Sequence, residues 1–200
     1  MMIKKICFFL MVLFGTVNSL SAQVAQIDSI APVPVGGELP KLFWDYRHTV
    51  LERGVPREYS LSSDRGKLII IDFWASWCAS CIKRFPKLEE IEKAFPGKVK
   101  VLLVNSVGTG DSYDSLLSRF RSGSGSFTST PLTVVTEDRL FLKVFPHRAL
   151  PHYVWIADGG VRAVTTAELL TKENVALLIG HMDELDGRRK KLEALRTRKK

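Results

Sequence analysis

The sequence predicts a single domain of the α/β class, in which a central sheet is flanked by helices. Three observations lead to this fold class. The chain has 200 residues with 46% hydrophobic content, which suits one sizeable core. Residues 68–104 follow the order strand, helix, strand, and residues 153–166 follow the pattern of a hairpin. No internal repeat is visible, so we expect one domain.

The first 22 residues have the order of a secretory signal peptide. Lys4 and Lys5 precede an apolar run over residues 6–17, and small residues follow up to Ala22. The apolar run is shorter than the roughly 20 residues that a spanning helix needs, so an uncleaved membrane anchor is the weaker alternative. We therefore expect cleavage after Ala22, loss of Cys7 with the leader, and export, most simply to the periplasm.

Residues 23–39 are predicted to be a linker or a lead-in strand, because prolines and glycines cluster in residues 31–37. The folded domain is predicted over residues 40–186. Residues 187–200 form a basic C-terminal tail, predicted to be a solvated, frayed extension. The alternative for this tail is contact with an anionic membrane surface or an acidic partner.

The net charge of +8 comes from the two ends of the chain. The leader carries two lysines, residues 188–200 carry eight bases and one acid, and the remaining residues have a net charge near −1. A nearly neutral body lacks the basic surface that nucleic-acid binding requires, so we expect no nucleic-acid partner.

The elements of the predicted domain can be taken in chain order. Residues 68–73, LIIIDF, read as a buried strand, and residues 78–95 place apolar side chains at three-residue steps, which predicts one helix with a buried face. Residues 99–104 predict a second buried strand, so a right-handed βαβ unit is expected. A helix over 111–120, a flexible loop over 122–126, a hairpin over 153–166 and a helix from Thr171 to about Leu185 complete the prediction.

Two cysteines remain after removal of the leader, Cys78 and Cys81, and they are spaced as CxxC. A disulfide between them closes almost no loop, so its stabilising effect is small and a chemical role explains the pair better. Cys78 lies at the predicted start of a helix, where free backbone N–H groups favour the thiolate. We therefore expect Cys78 to attack a partner disulfide and Cys81, one turn later, to resolve the mixed disulfide.

The segment around the pair, FWASWCASC over residues 73–81, resembles the active-site segment of thioredoxins, especially exported TlpA-like and ResA-like members. The resemblance covers roughly residues 40–185 and implies a three-layer thioredoxin fold with a central mixed sheet. It also implies disulfide exchange with protein partners, no organic cofactor, and more reductive than oxidative roles. A reductase in an oxidising compartment needs electrons, so a membrane thiol-transfer partner is expected.

The resemblance assigns further residues to the site. ALPHYVWIADG over residues 149–159 is similar to the family's cis-proline loop, which implies a cis bond before Pro151 and a backbone at Leu150 that pairs with an extended substrate. Trp77 is expected in the partner-docking surface, while Trp74 is expected in the core. His152 stands where relatives commonly have threonine; it either tunes the cysteines or caps the loop.

Three more positions carry paired interpretations. Asp72, inside an apolar strand, matches the aspartate of thioredoxins and either exchanges a proton with Cys81 or is bonded at a strand end. Pro86 matches a helix-bending proline, or it marks a helix end. Arg84 stands where relatives often have glutamate; it either favours the Cys78 thiolate or is simply solvated.

Three rival functions follow from the same residues. Cys78, Cys81, His147 and His152 could formally bind zinc, but a metal site is disfavoured because Pro151 interrupts the histidine segment. A peroxiredoxin-type peroxidase is disfavoured because Ala75 stands where its motif has threonine. A non-catalytic binding module on the same fold is the third alternative.

Overall fold

The computed structural model describes residues 27–197 of the chain; the predicted signal peptide lies outside them. The described residues form seven strands and six α-helices, with short 3-10 helices at Leu61–Asp64 and Ala167–Leu169. The strands are β1 His48–Glu52, β2 Val55–Tyr59, β3 Leu68–Phe73, β4 Val99–Ser106, β5 Thr133–Asp138, β6 His152–Ala157 and β7 Gly160–Thr165. The helices are α1 Lys41–Asp45, α2 Ala79–Ile82, α3 Phe85–Ala94, α4 Tyr113–Ser122, α5 Leu140–Val144 and α6 Lys172–Thr197.

The strands make one mixed sheet in the order β2-β1-β5-β4-β3-β6-β7. β3, β4 and β5 are parallel, while β1 and β6 run antiparallel to their neighbours in this central group. The predicted βαβ unit is therefore present, with α2 and α3 crossing between β3 and β4. The carboxyl ends of β3 and β4 lie side by side, and the CxxC segment follows β3 at this edge.

Two apolar cores lie on opposite faces of the sheet and give the predicted three layers. One core contains both cysteines and apolar side chains of α3, α4 and α6. The other contains apolar side chains of α1 and α5. In β3, Leu68 and Ile70 belong to the cysteine core, whereas Ile71 and Phe73 belong to the other, as the period of a strand requires. The three-layer α/β prediction is confirmed.

The segment before α1 packs against the domain rather than lying outside it. Ile27 and Leu39 are buried, and Gly36 and Gly37 exchange backbone hydrogen bonds with Val161 at the start of β7. The ordered body thus includes residues well before Pro40. The prolines and glycines of residues 31–37 predicted extended backbone. They could not predict that this segment forms hydrogen bonds with β7.

The single helix predicted over 78–95 is wrong, because the structure has two helices. α2 ends at Ile82 and α3 begins at Phe85, with Arg84 between them still in helical conformation. Pro86 is the second residue of α3, where its missing N–H costs no intrahelical hydrogen bond of the new helix. Lys83 and Arg84 keep helical backbone across the break, so the predicted bending role of Pro86 stays a prediction.

The hairpin of β1 and β2 has no counterpart in the sequence prediction. Arg53 and Gly54 form its turn, both with positive φ (51° and 75°). β2 is largely exposed and carries Pro56, as befits a strand at the edge of the sheet. Because β2 lacks a buried face, its residues have no apolar alternation from which to recognise a strand.

The C-terminal helix is longer than predicted. Thr171 caps it as expected, with its Oγ1 accepting the N–H of Asn174 at 3.2 Å, but α6 continues to Thr197 instead of ending near Leu185. The basic tail over residues 187–197 is therefore helical rather than frayed, and ion pairs such as Arg188–Glu184 stabilise it one turn apart. Within residues 27–197, no helix is both long and apolar enough to cross a membrane.

Candidate active site

Cys78 and Cys81 form a disulfide at the start of α2, with their Cα atoms 5.3 Å apart. Cys78 is the N-cap residue of α2, and its Sγ accepts the backbone N–H of Cys81 at 3.3 Å. The hydroxyl of Ser80 lies 3.5 Å from the same sulfur. Both groups can donate to Cys78 Sγ, so the position favours a thiolate there after reduction.

The two cysteines differ in access to solvent. Cys78 keeps 5% of its surface exposed, whereas Cys81 is fully buried beneath it. A partner disulfide can reach only the more exposed sulfur, so this difference matches the expected roles of Cys78 as attacker and Cys81 as resolver. In the oxidised state neither sulfur is a free thiolate, so the four formal zinc ligands include no available cysteine.

Asp72 lies in the middle of the sheet on the cysteine side of β3, between Ile70 and Trp74 in the alternation. It is fully buried, and neither carboxylate oxygen has a hydrogen-bond partner among the described residues. Burial alone raises the pKa of this carboxyl well above its ordinary value. No described backbone group bonds the carboxylate, so the alternative of a strand-end aspartate bonded to water stays open beside the proton-exchange role.

Tyr153 stands directly opposite Asp72 in the antiparallel pairing of β3 with β6. Its ring is buried in the cysteine core, and its hydroxyl also lacks a partner within residues 27–197. Burial, followed by the charge of Asp72, raises the pKa of Tyr153. The sequence prediction missed this residue, whose signal was a tyrosine in an otherwise apolar strand after the proline loop.

The bond between Leu150 and Pro151 is cis, as the family resemblance implied. Leu150 is half-buried and packs against both cores, so the loop spans the end of β6 at the sheet edge that carries the cysteines. The loop therefore lies where a substrate strand would have to approach.

His152 does not lie on the cysteine side of the sheet. Its register partner is Phe73, and its ring stacks on His147 with centroids 4.8 Å apart. Burial, followed by the charge of His147, lowers the pKa of His152 to about 4. The half-buried imidazole thus packs at the loop, and the described contacts include none between it and either cysteine.

Arg84 lies at the break between α2 and α3 and is half-buried. Its positive charge partly opposes the increase in the pKa of Tyr153 that burial causes, and it also lowers the pKa of Glu168. The next helix carries Pro86, which lines a groove of about 450 Å³ beside Trp77 together with Ile82 and Ser129.

Trp77 is 65% exposed, yet its position is fixed, because its indole N–H donates to the carbonyl of Thr109 at 2.7 Å. Asp111 holds the residue before it, accepting the backbone N–H of Ser76 at 2.7 Å and the Ser76 hydroxyl at 2.5 Å. The sequence prediction missed Asp111. It follows the end of β4, beside the end of β3, which is where polar residues of parallel sheets gather around a site.

The comparisons with known proteins agree with this site. Residues 58–114 match the Thioredoxin family model, a segment that includes both cysteines, Asp72 and Asp111. Over 46 residues the chain is 37% identical to "Thioredoxin-like protein YneN" of Bacillus subtilis, covering 23% of this chain and 27% of that protein. It is 49% identical over 37 residues to a thioredoxin of Rickettsia felis, covering 18% and 35%. The chain thus spans about a third of the length of these relatives.

Solved structures extend the likeness to the whole fold. The exposed lipoprotein thioredoxin Etrx1 of Streptococcus pneumoniae matches with a TM-score of 0.55 and 21% identity, over 68% of this chain and 98% of that chain. A secreted Mycobacterium tuberculosis disulfide oxidoreductase matches with a TM-score of 0.52 and 16% identity, over 69% and 99%. A Plasmodium yoelii thioredoxin peroxidase also matches, with a TM-score of 0.52 and 18% identity over 77% and 91%.

The described residues have the thioredoxin fold, and they carry a CxxC disulfide at the start of a helix. More particularly, residues 58–114, which include both cysteines, match the Thioredoxin family model, while the TlpA-like and ResA-like subtype stays a prediction. The peroxidase among the structural neighbours has the same fold, which means that the fold alone does not select the reaction.

Proposed function

We propose that this protein is an exported thiol–disulfide oxidoreductase that reduces disulfides in partner proteins. The observation that carries the proposal is the unequal burial of a CxxC pair at a helix start, with an unpartnered carboxyl on the same side of the sheet. Cys78 is the accessible sulfur and accepts a backbone N–H, while Cys81 and Asp72 are fully buried. A binding module needs none of these features together.

The reaction begins with both cysteines reduced. The Cys78 thiolate attacks one sulfur of the partner disulfide, so a Cys78–partner bond forms, the partner disulfide breaks, and the released thiolate takes a proton. Asp72 in its carboxylate form then accepts the Cys81 proton, and the Cys81 thiolate attacks the sulfur of Cys78. The Cys78–Cys81 disulfide forms and the second partner thiolate leaves and is protonated, so two electrons pass to the partner.

The source of electrons and the place of action belong to the same proposal. The residues before Ala22 have the order of an export signal, and an exported reductase needs a thiol-transfer partner at the membrane to restore its dithiol. The chain itself supplies both redox atoms, so no organic cofactor enters the steps above. The exposed Trp77, next to Cys78 in the chain, and the Leu150–Pro151 loop at the same edge of the sheet suit an extended polypeptide as substrate.

The reduction potential of the Cys78–Cys81 pair tests the direction of the reaction. Full-length protein with Cys7→Ser, which leaves the pair as the only cysteines, would be equilibrated against dithiothreitol or glutathione buffers, and thiols would be trapped and counted. A potential below about −230 mV supports a reductase, and one above about −150 mV supports a disulfide donor instead. A pair that never cycles in these buffers contradicts the catalytic proposal.

Two controls separate the rival functions. The Cys81→Ser variant should accumulate a mixed disulfide between Cys78 and an oxidised protein substrate, whereas Cys78→Ser should form none. Consumption of peroxide coupled to oxidation of Cys78 would instead favour the peroxidase. Partner-dependent activity in cells that survives loss of both cysteines would favour the binding module.

The mass of the protein purified from its host tests export. Cleavage after Ala22 should give a mature chain beginning at Gln23, and N-terminal sequencing would read it directly. A chain that keeps residues 1–22 in the membrane fraction would support the anchor instead.

A further inference from the structure

The turn between β4 and α4, residues 107–112, takes no part in the exchange steps, yet it is hydrogen-bonded to the segment that precedes the nucleophile. Three donors converge on the carboxylate of Asp111: the backbone N–H of Ser76 at 2.7 Å, the Ser76 hydroxyl at 2.5 Å, and the side-chain amide of Asn105 at 2.7 Å. Ser76 is only two residues before Cys78. The carboxylate therefore fixes the backbone that leads into the CxxC pair.

The same turn holds the indole of Trp77. Thr109 accepts the Trp77 N–H through its carbonyl at 2.7 Å, and its own hydroxyl donates to the carbonyl of Ser106 at 3.0 Å and lies 3.2 Å from Asn105 Oδ1. Asn105 is thus shared between Thr109 and Asp111. Two consecutive residues before Cys78 are anchored on one turn, one by its backbone and one by its ring.

The anchored ring is unusual because it is 65% exposed. A large apolar side chain held rigidly in solvent beside a reactive sulfur offers contact area to a partner at little further cost in conformational entropy. Bonds to a charged acceptor are stronger than bonds between neutral groups, so Asp111 is the strongest of these anchors.

We infer that Asp111 is a positioning residue that presents Trp77 and the Ser76 backbone to polypeptide partners, so that the β4–α4 turn favours protein disulfides over small ones. The inference rests on the proposed function, because it concerns substrates of the same cysteine pair. A small disulfide needs only the Cys78 sulfur, whereas a polypeptide also needs the surface around it. Loss of the anchor should therefore raise the KM for protein substrates before it affects exchange with small ones.

The test compares Asp111→Asn with Asp114→Asn. Asparagine keeps the shape of Asp111 but turns an N–H₂ group toward donors, so it cannot accept all three bonds. Asp114 is an exposed carboxylate in the first turn of α4, so it is a matched control for the lost charge. The KM and kcat for reduction of insulin would be measured beside the rate with a small aromatic disulfide.

We expect Asp111→Asn to raise the KM for insulin about tenfold, which corresponds to the loss of roughly one charge-assisted hydrogen bond, and to change kcat and the small-disulfide rate far less. Asp114→Asn should match the parent protein. Equal losses on both substrates would overturn the inference, because they indicate general damage to the site. An unchanged KM for insulin would overturn it as well.

Hydrogen exchange gives a readout that does not require turnover. The Ser76 amide and the Trp77 indole N–H should lose protection in Asp111→Asn and keep it in Asp114→Asn. Retained protection in Asp111→Asn would refute the positioning role by itself. If the parent protein exchanges neither disulfide, the proposed function fails and the substrate preference fails with it. If Asp111→Asn does not fold, Trp77→Phe removes only the indole bond and should raise the KM for insulin in the same direction.

Discussion

Two buried aspartates at the sheet differ in almost everything except burial. Asp138, at the end of β5, is 3% exposed, and Asp72, the last residue but one of β3, is fully buried. Asp138 accepts the N–H groups of Phe141 and Leu142, both at 2.9 Å, and the hydroxyl of Ser106 at 3.1 Å. Asp72 accepts no hydrogen bond from any of the described residues.

The difference decides what each carboxyl can do. Burial raises the pKa of both, but the donors around Asp138 oppose this effect and hold its pKa to about 6. At Asp72 no hydrogen bond from the described residues opposes burial, which alone raises its pKa. Asp138 is therefore a structural anchor for the start of α5, while Asp72 remains available to exchange a proton. Burial alone does not identify a functional carboxyl; the missing partners do.

The largest expected effect is on catalysis at Asp72. Asp72→Asn removes the carboxyl that we propose as acceptor of the Cys81 proton, so we expect the resolving step to slow about 10²-fold at pH 7. The first attack by Cys78 should change much less. Rapid mixing of reduced protein with an oxidised substrate, followed by acid trapping, would measure the two steps separately. An equal loss in both steps would contradict the assigned role and make Asp72 a general determinant of the site.

At Asp138 we expect the main effect of a substitution on the stability of the fold rather than on catalysis. Asp138→Ala leaves two backbone N–H groups and a buried hydroxyl without their acceptor, so we expect the free energy of unfolding to fall by about 2–3 kcal/mol. The small-disulfide exchange rate of the folded variant should stay close to that of the parent. Urea denaturation of the oxidised proteins measures the change, with Asp138→Asn as the milder control. A loss below about 0.5 kcal/mol would show that the bonds to α5 contribute little.

This contrast also marks how far the sequence could predict the site. The spacing of Cys78 and Cys81, the LIIIDF strand and the late proline predicted the chemistry, because each depends on residues close together in the chain. Asp111 was missed because its partner Ser76 lies 35 residues away, and the bond between Asp138 and Ser106 spans 32 residues, although the other two bonds of Asp138 are local. Nothing in local spacing shows which exposed-looking aspartate will meet a distant donor.

The sequence also could not show on which face of the sheet His152 lies. His152 was expected to tune the cysteines or to cap the loop, and only the pairing of β6 with β3 shows that it stands opposite Phe73 on the other face. A shift of one residue in that register would have reversed the two faces. The short hairpin β1–β2 was missed for a related reason, since an edge strand with little buried surface has no apolar pattern.

The dependence of stability on pH should separate the two aspartates further. In the unfolded chain the pKa of Asp72 is near 3.8, and in the folded protein it is higher. Between these two pH values the folded protein therefore binds one more proton at Asp72 than the unfolded chain does. The contribution of Asp72 to the free energy of unfolding therefore decreases as pH rises through this window. Asp72→Asn abolishes this pH dependence, because asparagine does not titrate.

We expect Asp72→Asn to gain stability over the parent as pH increases, by at most about 1.4 kcal/mol per pH unit. Taking the difference between the two proteins at each pH cancels Asp138, whose own window ends near pH 6, and the histidines. Urea denaturation of the oxidised proteins from pH 5 to pH 8 would measure it. If the difference in stability between the parent and Asp72→Asn does not change with pH, Asp72 has the same pKa in the folded and unfolded states, which contradicts the prediction.

The smallest effect is expected on the face of β3 that carries no cysteine. His152 has a pKa lowered to about 4 by burial and by His147, so at pH 7 it is neutral and places no charge near Cys78. His152→Ala should therefore change the rate of Cys78 alkylation by less than about twofold between pH 6 and pH 8. Iodoacetamide trapping of the reduced protein measures this rate, and His147→Ala is the matched variant from the same stack. A larger change with His152→Ala alone would contradict this expectation. It would show that His152 affects Cys78 from the opposite face of β3, through Phe73 and the strand backbone.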